Sequence, residues 1–424
     1  MKFISFLFLL LNADIILSSE IENTIPSDFK ARLDSYLDPN KYVGLSVLVL
    51  AKNGEEFISH YGQRDISKGL KPDSNTLYEI GSISKAFTRI ALAGQNEIKL
   101  DDNIEKYLPS SVRVPKPHGE SITIEHLITH TGIKFSVPCT VRLDNPNNLK
   151  CFGVELDSDL IDPYKNTSQE NNYKFLTEFS HTVEEFPQAF SAPGTFFSYS
   201  NIGLGLVGEF LGEEHNSTFE AYLKTSVLSP LEMSNTKINM PCEKTETCEN
   251  LAKVYSKINT GDNWTEKSLW HLPGLSAAGG IRSSINDMKK FLRANLSPKT
   301  SPIQAAIETG QSRLGRASDH HNSNICKPGQ NPNVNLCNPV RKDFFYAWEA
   351  VSPETVLYHG GATGASQAMM AFSIDRSLGV VVLSNSKVGK GEKTLFHYPN
   401  DVTFCAFQLL GKPVLPEVDF CSRL

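Results

Sequence analysis

Beyond its opening residues, the 424-residue sequence never approaches the roughly 18 consecutive apolar residues that a membrane-crossing helix needs. No fixed-period repeat and no low-complexity tract divides it, which argues against a repeat array. Basic residues are not in excess. Forty-one Lys and Arg stand against 47 Asp and Glu, for a formal charge of −6. With the signs interspersed there is no basic stripe to follow a phosphate backbone, so nucleic acid is not an expected partner. Zinc patterns are also missing. No cysteine pair is spaced C-x-x-C, and H-L-I-T-H, which sets His126 and His130 on one helix face, lacks the glutamate of H-E-x-x-H. Those two histidines are read as packing or turn-bracing groups, His320 and His321 as surface groups of a polar stretch, and no metal or other cofactor is expected. The stretch V-D-F-C-S-R-L at the end has no hydrophobic tail, so neither a lipid anchor nor a membrane span is expected.

What is present points to a folded, exported chain. Apolar residues make up 40%, enough for a sizeable core in one two-lobed domain or in two or three ordinary ones. In M-K-F-I-S-F-L-F-L-L-L-N-A-D-I-I-L-S-S-E one lysine precedes an apolar run from Phe3 to Leu11, broken by Ser5, with small residues following. This predicts a secretory signal peptide over residues 1–19, cleaved after Ala13 or near Ser19. The eight cysteines fall in local pairs. Of 105 connectivities, the simplest joins Cys139 to Cys151, Cys242 to Cys248, Cys326 to Cys337 and Cys405 to Cys421. N-x-S/T triplets begin at Asn166, Asn216, Asn263 and Asn295, the last followed by Pro298, and are candidate glycosylated surface. The expected location is secreted and extracellular.

Along the chain, V-G-L-S-V-L-V-L-A-K-N-G-E-E-F-I-S-H-Y-G-Q predicts two strands joined at Asn53-Gly54. Tyr358 to Asn385 contains Q-A-M-M-A-F-S-I-D and G-V-V-V-L-S-N, further strand runs, and a helical pattern follows from Asp401 to Leu410. The intervening chain is mostly helical pattern and loops. Strands near both ends with helices between predict an α/β fold of the α+β kind: one antiparallel sheet assembled from both ends, flanked by helices, with a mostly helical lobe inserted. Polar stretches at about 136–180 and 311–342 are read as insertions, each a loop stapled by one cysteine pair.

The stretch Y-E-I-G-S-I-S-K-A-F-T holds Ser82 and Lys85 three residues apart at the start of a helix pattern whose apolar stripe is Ile83, Phe87, Ile90 and Ala91. S-x-x-K by itself is weak, and it recurs at Ser27, Ser234 and Ser384. Only Ser82 opens a helix pattern, which brings hydroxyl and amine onto one face. Lysine at that place is expected to be partly buried. Burial or a nearby cation lowers an amine's pKa, and a neutral amine can take a serine proton during attack on a carbonyl. A backbone N–H in the first helical turn can hold the oxyanion. The plainer reading makes Ser82 a helix cap and Lys85 a solvated charge.

Three stretches in order decide between them: G-S-I-S-K-A-F-T (81–88), P-G-T-F-F-S-Y-S-N-I-G (193–203) and H-G-G-A-T-G (359–364). Together they resemble the serine β-lactamase and penicillin-binding-protein-like family, in its class C-like (peptidase S12 type) branch, over about Val43 to Asn385. I-T-I-E-H-L-I-T-H-T-G (122–132) and A-A-G-G-I-R-S-S-I-N-D-M (277–288) add to the likeness. The resemblance implies one domain over 20–424, with a sheet lobe at about 20–80 and 270–424 and a helical lobe at about 81–269. It further implies Ser82 as nucleophile, Lys85 as its partner and Tyr199 as proton carrier. Asn201, His359, Gly360, Gly361 and Ala362 would bind substrate, with the Ala362 N–H as second oxyanion donor. The family's K-T-G is replaced by His359-Gly360-Gly361. Histidine is largely neutral above about pH 6.5 and offers no permanent cation for a carboxylate. The implied function is a secreted serine hydrolase cleaving small-molecule or peptide-like esters or amides through an acyl-serine. The other expectation, of a different class, is an extracellular matrix or binding protein that keeps the fold with little or no catalysis, as in gigasin-like shell-matrix proteins, which the chain also resembles.

Overall fold

The computed structural model describes residues 25–133, 139–141, 149–151, 168–187, 190–239, 249–259, 261–319, 341–350, 355–389, 398–415 and 418–424. The expected leader, Asn166, His320, His321, Cys242, Cys248, Cys326 and Cys337 lie outside the described residues.

Gly54 has φ +94°, a conformation in which a Cβ would be strained, and it turns the chain between β1 (Gly44–Ala51) and β2 (Glu56–Gly62). The two strands pair antiparallel with Gly44 opposite Gly62, as the Asn-Gly signal predicts. Seven more strands join them. They are β3 (Phe196–Phe197), β4 (Arg313–Asp319), β5 (Arg341–Phe345), β6 (Glu349–Ala350), β7 (Val356–Ala362), β8 (Gln367–Ser373) and β9 (Leu378–Ser384). Their order is β2-β1-β9-β8-β7-β6-β5-β4-β3, antiparallel throughout except for the parallel β3–β4 pair at the edge. β9 pairs with β1, Leu45 opposite Ser384, so the sheet is indeed built from distant parts of the chain.

Both faces of its centre are covered, which explains the unbroken V-V-V run of β9. Leu48, Leu50, Met370, Phe372, Val381 and Leu383 face the larger core shared with the helical lobe. Val47, Val49, Met369, Ala371, Val380 and Val382 face a second core beneath α1 (Phe29–Asp34) and α6 (Tyr398–Leu409). A disulfide joins Cys405 of α6 to Cys421.

The remaining long helices are α2 (Ser84–Ala93), α3 (Gln169–Glu185), α4 (Asn201–Glu214) and α5 (Ile285–Leu296). Ser284 caps α5 by accepting from the Asp287 N–H, and the helix buries Ile285, Met288, Phe291 and Leu292. Phe291 stacks on Phe87 of α2 at 3.9 Å, and Trp348 lies 6.0 Å from Phe291 and 4.9 Å from Phe372 of β8. This run of rings seats α2 on the sheet, each ring contributing about 1.5–3 kcal/mol through burial. Among the described residues no helix is long and apolar enough to cross a membrane.

Three expectations need correction. Residues 311–342 are not a loop throughout, because their flanks form strands β4 and β5, next in from the edge strand β3. The 136–180 stretch gives way to helix at Gln169, where Ser168 caps α3. Before that, a ladder of Cys139–Val141 with Leu149–Cys151 sets Cys139 opposite Cys151 in backbone register. Asn295 is fully buried within α5, its amide nitrogen donating to the Phe291 carbonyl and its side-chain oxygen accepting from Gln311, so it is not glycosylated surface in the folded chain. Asn216 and Asn263 are exposed.

Candidate active site

Two glycines let the backbone of the Ser82 turn lie against the end of β7. Gly81 has φ +51°, and a Cβ there would stand 2.6 Å from the Ala362 nitrogen. A Cβ on Gly361 would stand 1.9 Å from the Ile80 carbonyl oxygen and 3.1 Å from the Ser82 nitrogen. The backbone nitrogens of Ser82 and Ala362 are therefore neighbours. Ser82 sits in a 3-10 turn, Gly81–Ile83, that runs directly into α2.

Lys85, one turn on, is fully buried rather than partly so. Its Nζ lies 2.9 Å from Ser82 Oγ, and it donates to Asn201 Oδ1 at 2.6 Å and to the Ala278 carbonyl at 2.8 Å. Burial, and after it the Arg89 charge, hold this amine well below the usual lysine range, with Glu349 pulling the other way. Asn201 is the first residue of α4, which Ser200 caps by accepting from the Gly203 N–H. Just before the cap, Tyr199 donates its phenol proton to Ser82 Oγ at 2.5 Å, and its ring centroid is 4.7 Å from the Lys85 nitrogen. The pairing of β3 with β4 anchors the segment leading to it.

His130 has φ +59° and is buried, its ring tilted over Tyr199 at 4.6 Å. Its Nδ1 accepts the Ser200 N–H at 3.1 Å, and its Nε2 lies 3.1 Å from the Arg89 guanidinium. His126 closes a capping box with Thr123. Both histidines thus brace turns.

His359 on β7 is 2% exposed, and its Nδ1 lies 2.8 Å from the Gly360 carbonyl oxygen. That oxygen can only accept, so Nδ1 carries the proton. Burial pushes the ring down to about 3, leaving it uncharged at neutral pH. Glu79, also buried, accepts from the Trp270 N–H at 2.7 Å and from the Thr363 hydroxyl at 2.7 Å, with Arg282 3.7 Å away. This clamp fixes the residue after Ala362. The resulting cleft, about 380 Å³, is lined among others by Ser82, Tyr199, Asn201, His359 and Gly361, with Trp270, Leu272 and Leu275 on an apolar side.

A family model for beta-lactamase matches residues 29–398. The chain belongs to the beta-lactamase family. It is 27% identical over 406 residues to the beta-lactamase of Escherichia coli (strain K12), covering 88% of this chain and 90% of that protein. It is 25% identical over 391 residues to the beta-lactamase of Yersinia enterocolitica, covering 87% and 86%. Among solved structures it is similar to the octameric penicillin-binding protein homologue from Pyrococcus abyssi, with TM-score 0.69 and 21% identity over 93% of this chain and 80% of that one. That likeness shows the shared fold. Within this beta-lactamase-family cleft, reading the sequence missed Glu79, Arg89, Trp270, Arg282 and Glu349, which reach the cleft or its walls only through tertiary approach. The one signal for Arg89 was a second cation four residues after Lys85 in an otherwise uncharged helical pattern.

Proposed function

We propose that the protein is a serine hydrolase that cleaves an ester or amide through an acyl-serine on Ser82. One observation carries this reading: at the cleft, Ser82 Oγ lies within hydrogen-bond distance of both the Lys85 nitrogen, at 2.9 Å, and the Tyr199 phenol, at 2.5 Å. Asn201 Oδ1 and the Ala278 carbonyl can only accept, so they take two N–H bonds; in the neutral amine that burial favours, the lone pair is then left for the Ser82 hydroxyl 2.9 Å away. Ser82 Oγ attacks the carbonyl carbon as its proton passes to Lys85. The oxyanion is held by the Ser82 and Ala362 N–H groups. Collapse breaks the bond to the leaving group, which takes a proton from Tyr199, and Lys85 returns its proton to Tyr199. Water then adds to the acyl carbon, its proton goes to Lys85, and the acid leaves as Ser82 Oγ is reprotonated.

With His359 uncharged, that position offers no cation to a carboxylate, which supports neutral esters or amides over anionic penicillin-type substrates. Secretion is part of the same reading, supported by the leader pattern, the Cys405–Cys421 disulfide and the exposed Asn216 and Asn263. The test is a fluorophosphonate probe and a panel of short-chain esters applied to the disulfide-intact protein and to Ser82→Ala. A probe adduct on Ser82 and turnover lost in the variant are expected. Well-folded protein that takes no label would overturn the reading in favour of a non-catalytic extracellular role.

A further inference from the structure

Helix α2 buries two basic side chains one turn apart. Lys85 and Arg89 stand at i and i+4, so they share a helix face, and they are 0% and 4% exposed. Like charges that close in a poorly solvated interior repel strongly, so packing alone would favour an apolar residue at 89. The guanidinium is held in place: one nitrogen donates to the Ile128 carbonyl and lies 3.1 Å from His130 Nε2. The other side of that imidazole accepts the Ser200 N–H, and its face lies under Tyr199. Arg89 Nε has no hydrogen-bond partner, so the pose does not satisfy all of the guanidinium's own donors.

We propose that Arg89 is a positioning residue: its fixed charge keeps Lys85 an unprotonated amine, and its guanidinium, hydrogen-bonded to the Ile128 carbonyl, packs against the His130 ring that lies on Tyr199. The inference rests on the acyl-serine reading above. The groups facing Lys85 are Ser82, Arg89, the Tyr199 ring, Asn201 and the Ala278 carbonyl, with Glu349 and His359 on the sheet side. Arg89 itself faces His130, Tyr199, Tyr346 and Glu349. Burial lowers its guanidinium to about 10, which leaves it cationic at neutral pH. After burial, its charge is the next largest influence depressing Lys85, and Glu349 is the opposing anion.

The rate of fluorophosphonate labelling of Ser82 against pH reads this directly, because a base with a depressed pKa places the rising limb of the profile low. Arg89→Gln removes the charge, and the midpoint should rise by roughly one to two pH units. Arg89→Lys keeps the charge and should keep the midpoint while slowing labelling, since the smaller, non-planar ammonium does not fill the guanidinium's place between the Ile128 carbonyl and the His130 ring. Glu349→Gln should move the midpoint down. A merely structural Arg89 would lower all rates without moving any midpoint. Wild-type protein that is never labelled removes the acyl-serine reading and this inference with it. Labelled wild type with the same midpoint in folded Arg89→Gln overturns the role of Arg89 alone. Should Arg89→Gln not fold, Arg89→Met, uncharged and of similar length, is read against Arg89→Lys: a midpoint raised only in Arg89→Met sustains the proposal, and equal midpoints in the two overturn it.

Discussion

At the scale of single residues, Gly361 limits how near Ser82 can come to β7. A methyl group there would stand 1.9 Å from the Ile80 carbonyl oxygen, which is backbone and cannot swing aside. Gly361→Ala should therefore push the serine turn off the strand. The expected results are a loss of about 1–3 kcal/mol in urea unfolding and a fall in Ser82 labelling of tenfold or more, from displacement of the oxyanion donors. His359 predicts a null effect instead. Its ring is held at about 3, so it is already neutral throughout the range from pH 5 to 8. His359→Gln should change the level of ester turnover and leave the shape of its pH profile above pH 5 unaltered. A lost inflection near pH 6 would show that the wild-type ring titrates there.

At the scale of elements, α3 and α4 meet over a buried acid. Glu209 of α4 accepts from Asn172 Nδ2 of α3 at 3.0 Å, its other oxygen has no partner, and burial raises its carboxyl to about 8. In the unfolded chain the group would ionise near its ordinary value of about 4.3. Between those pH values the folded state binds more protons, so the stability Glu209 contributes is present in acid and lost as pH rises toward about 8. The slope should reach roughly 1.4 kcal/mol per pH unit at its steepest. Glu209→Gln should flatten the dependence, measured as urea midpoints at pH 5, 6.5 and 8.

The elements also differ in how far they could be read from sequence. The β1–β2 hairpin was legible because Asn53-Gly54 is a local turn signal between apolar runs. β8 and β9 were legible because strands covered on both faces read as continuous apolar runs. β4 and β5 were taken for loop, since R-L-G-R-A-S-D and R-K-D-F-F are the polar, weakly alternating sequences of strands near a sheet edge. In the cleft, Ser82, Lys85, Tyr199 and Asn201 stood out through motif resemblance. Glu79 and Arg282 did not, because their pairing depends on β-ladder neighbours far apart in sequence. His130 was read correctly as a brace, though not as a brace for Tyr199.

At the scale of the molecule, the Cys405–Cys421 bridge ties α6 to the last turn on the face of the sheet away from the cleft. Closing a loop of this size stabilises a fold by about 3 kcal/mol. Replacing both cysteines by alanine should lower the denaturation midpoint accordingly while leaving the Ser82 labelling midpoint where it is, because none of the cleft residues named above contacts the bridge. Labelling that shifts with the bridge removed would mean the two faces are mechanically linked.

The pairing of Leu45 with Ser384 has a consequence for biosynthesis. The β1–β2 hairpin is complete early, yet its main partner β9 is made about 340 residues later. At about 5–20 residues per second, the nascent chain carries that hairpin unmatched for roughly 17–70 s. During this interval the backbone N–H and C=O groups of β1 that will pair with β9 form an unpaired edge, the kind of surface that joins other chains. Yield on overexpression should therefore depend less on the stability of the finished molecule than on whether something shields that edge until the ribosome delivers the strand that completes it.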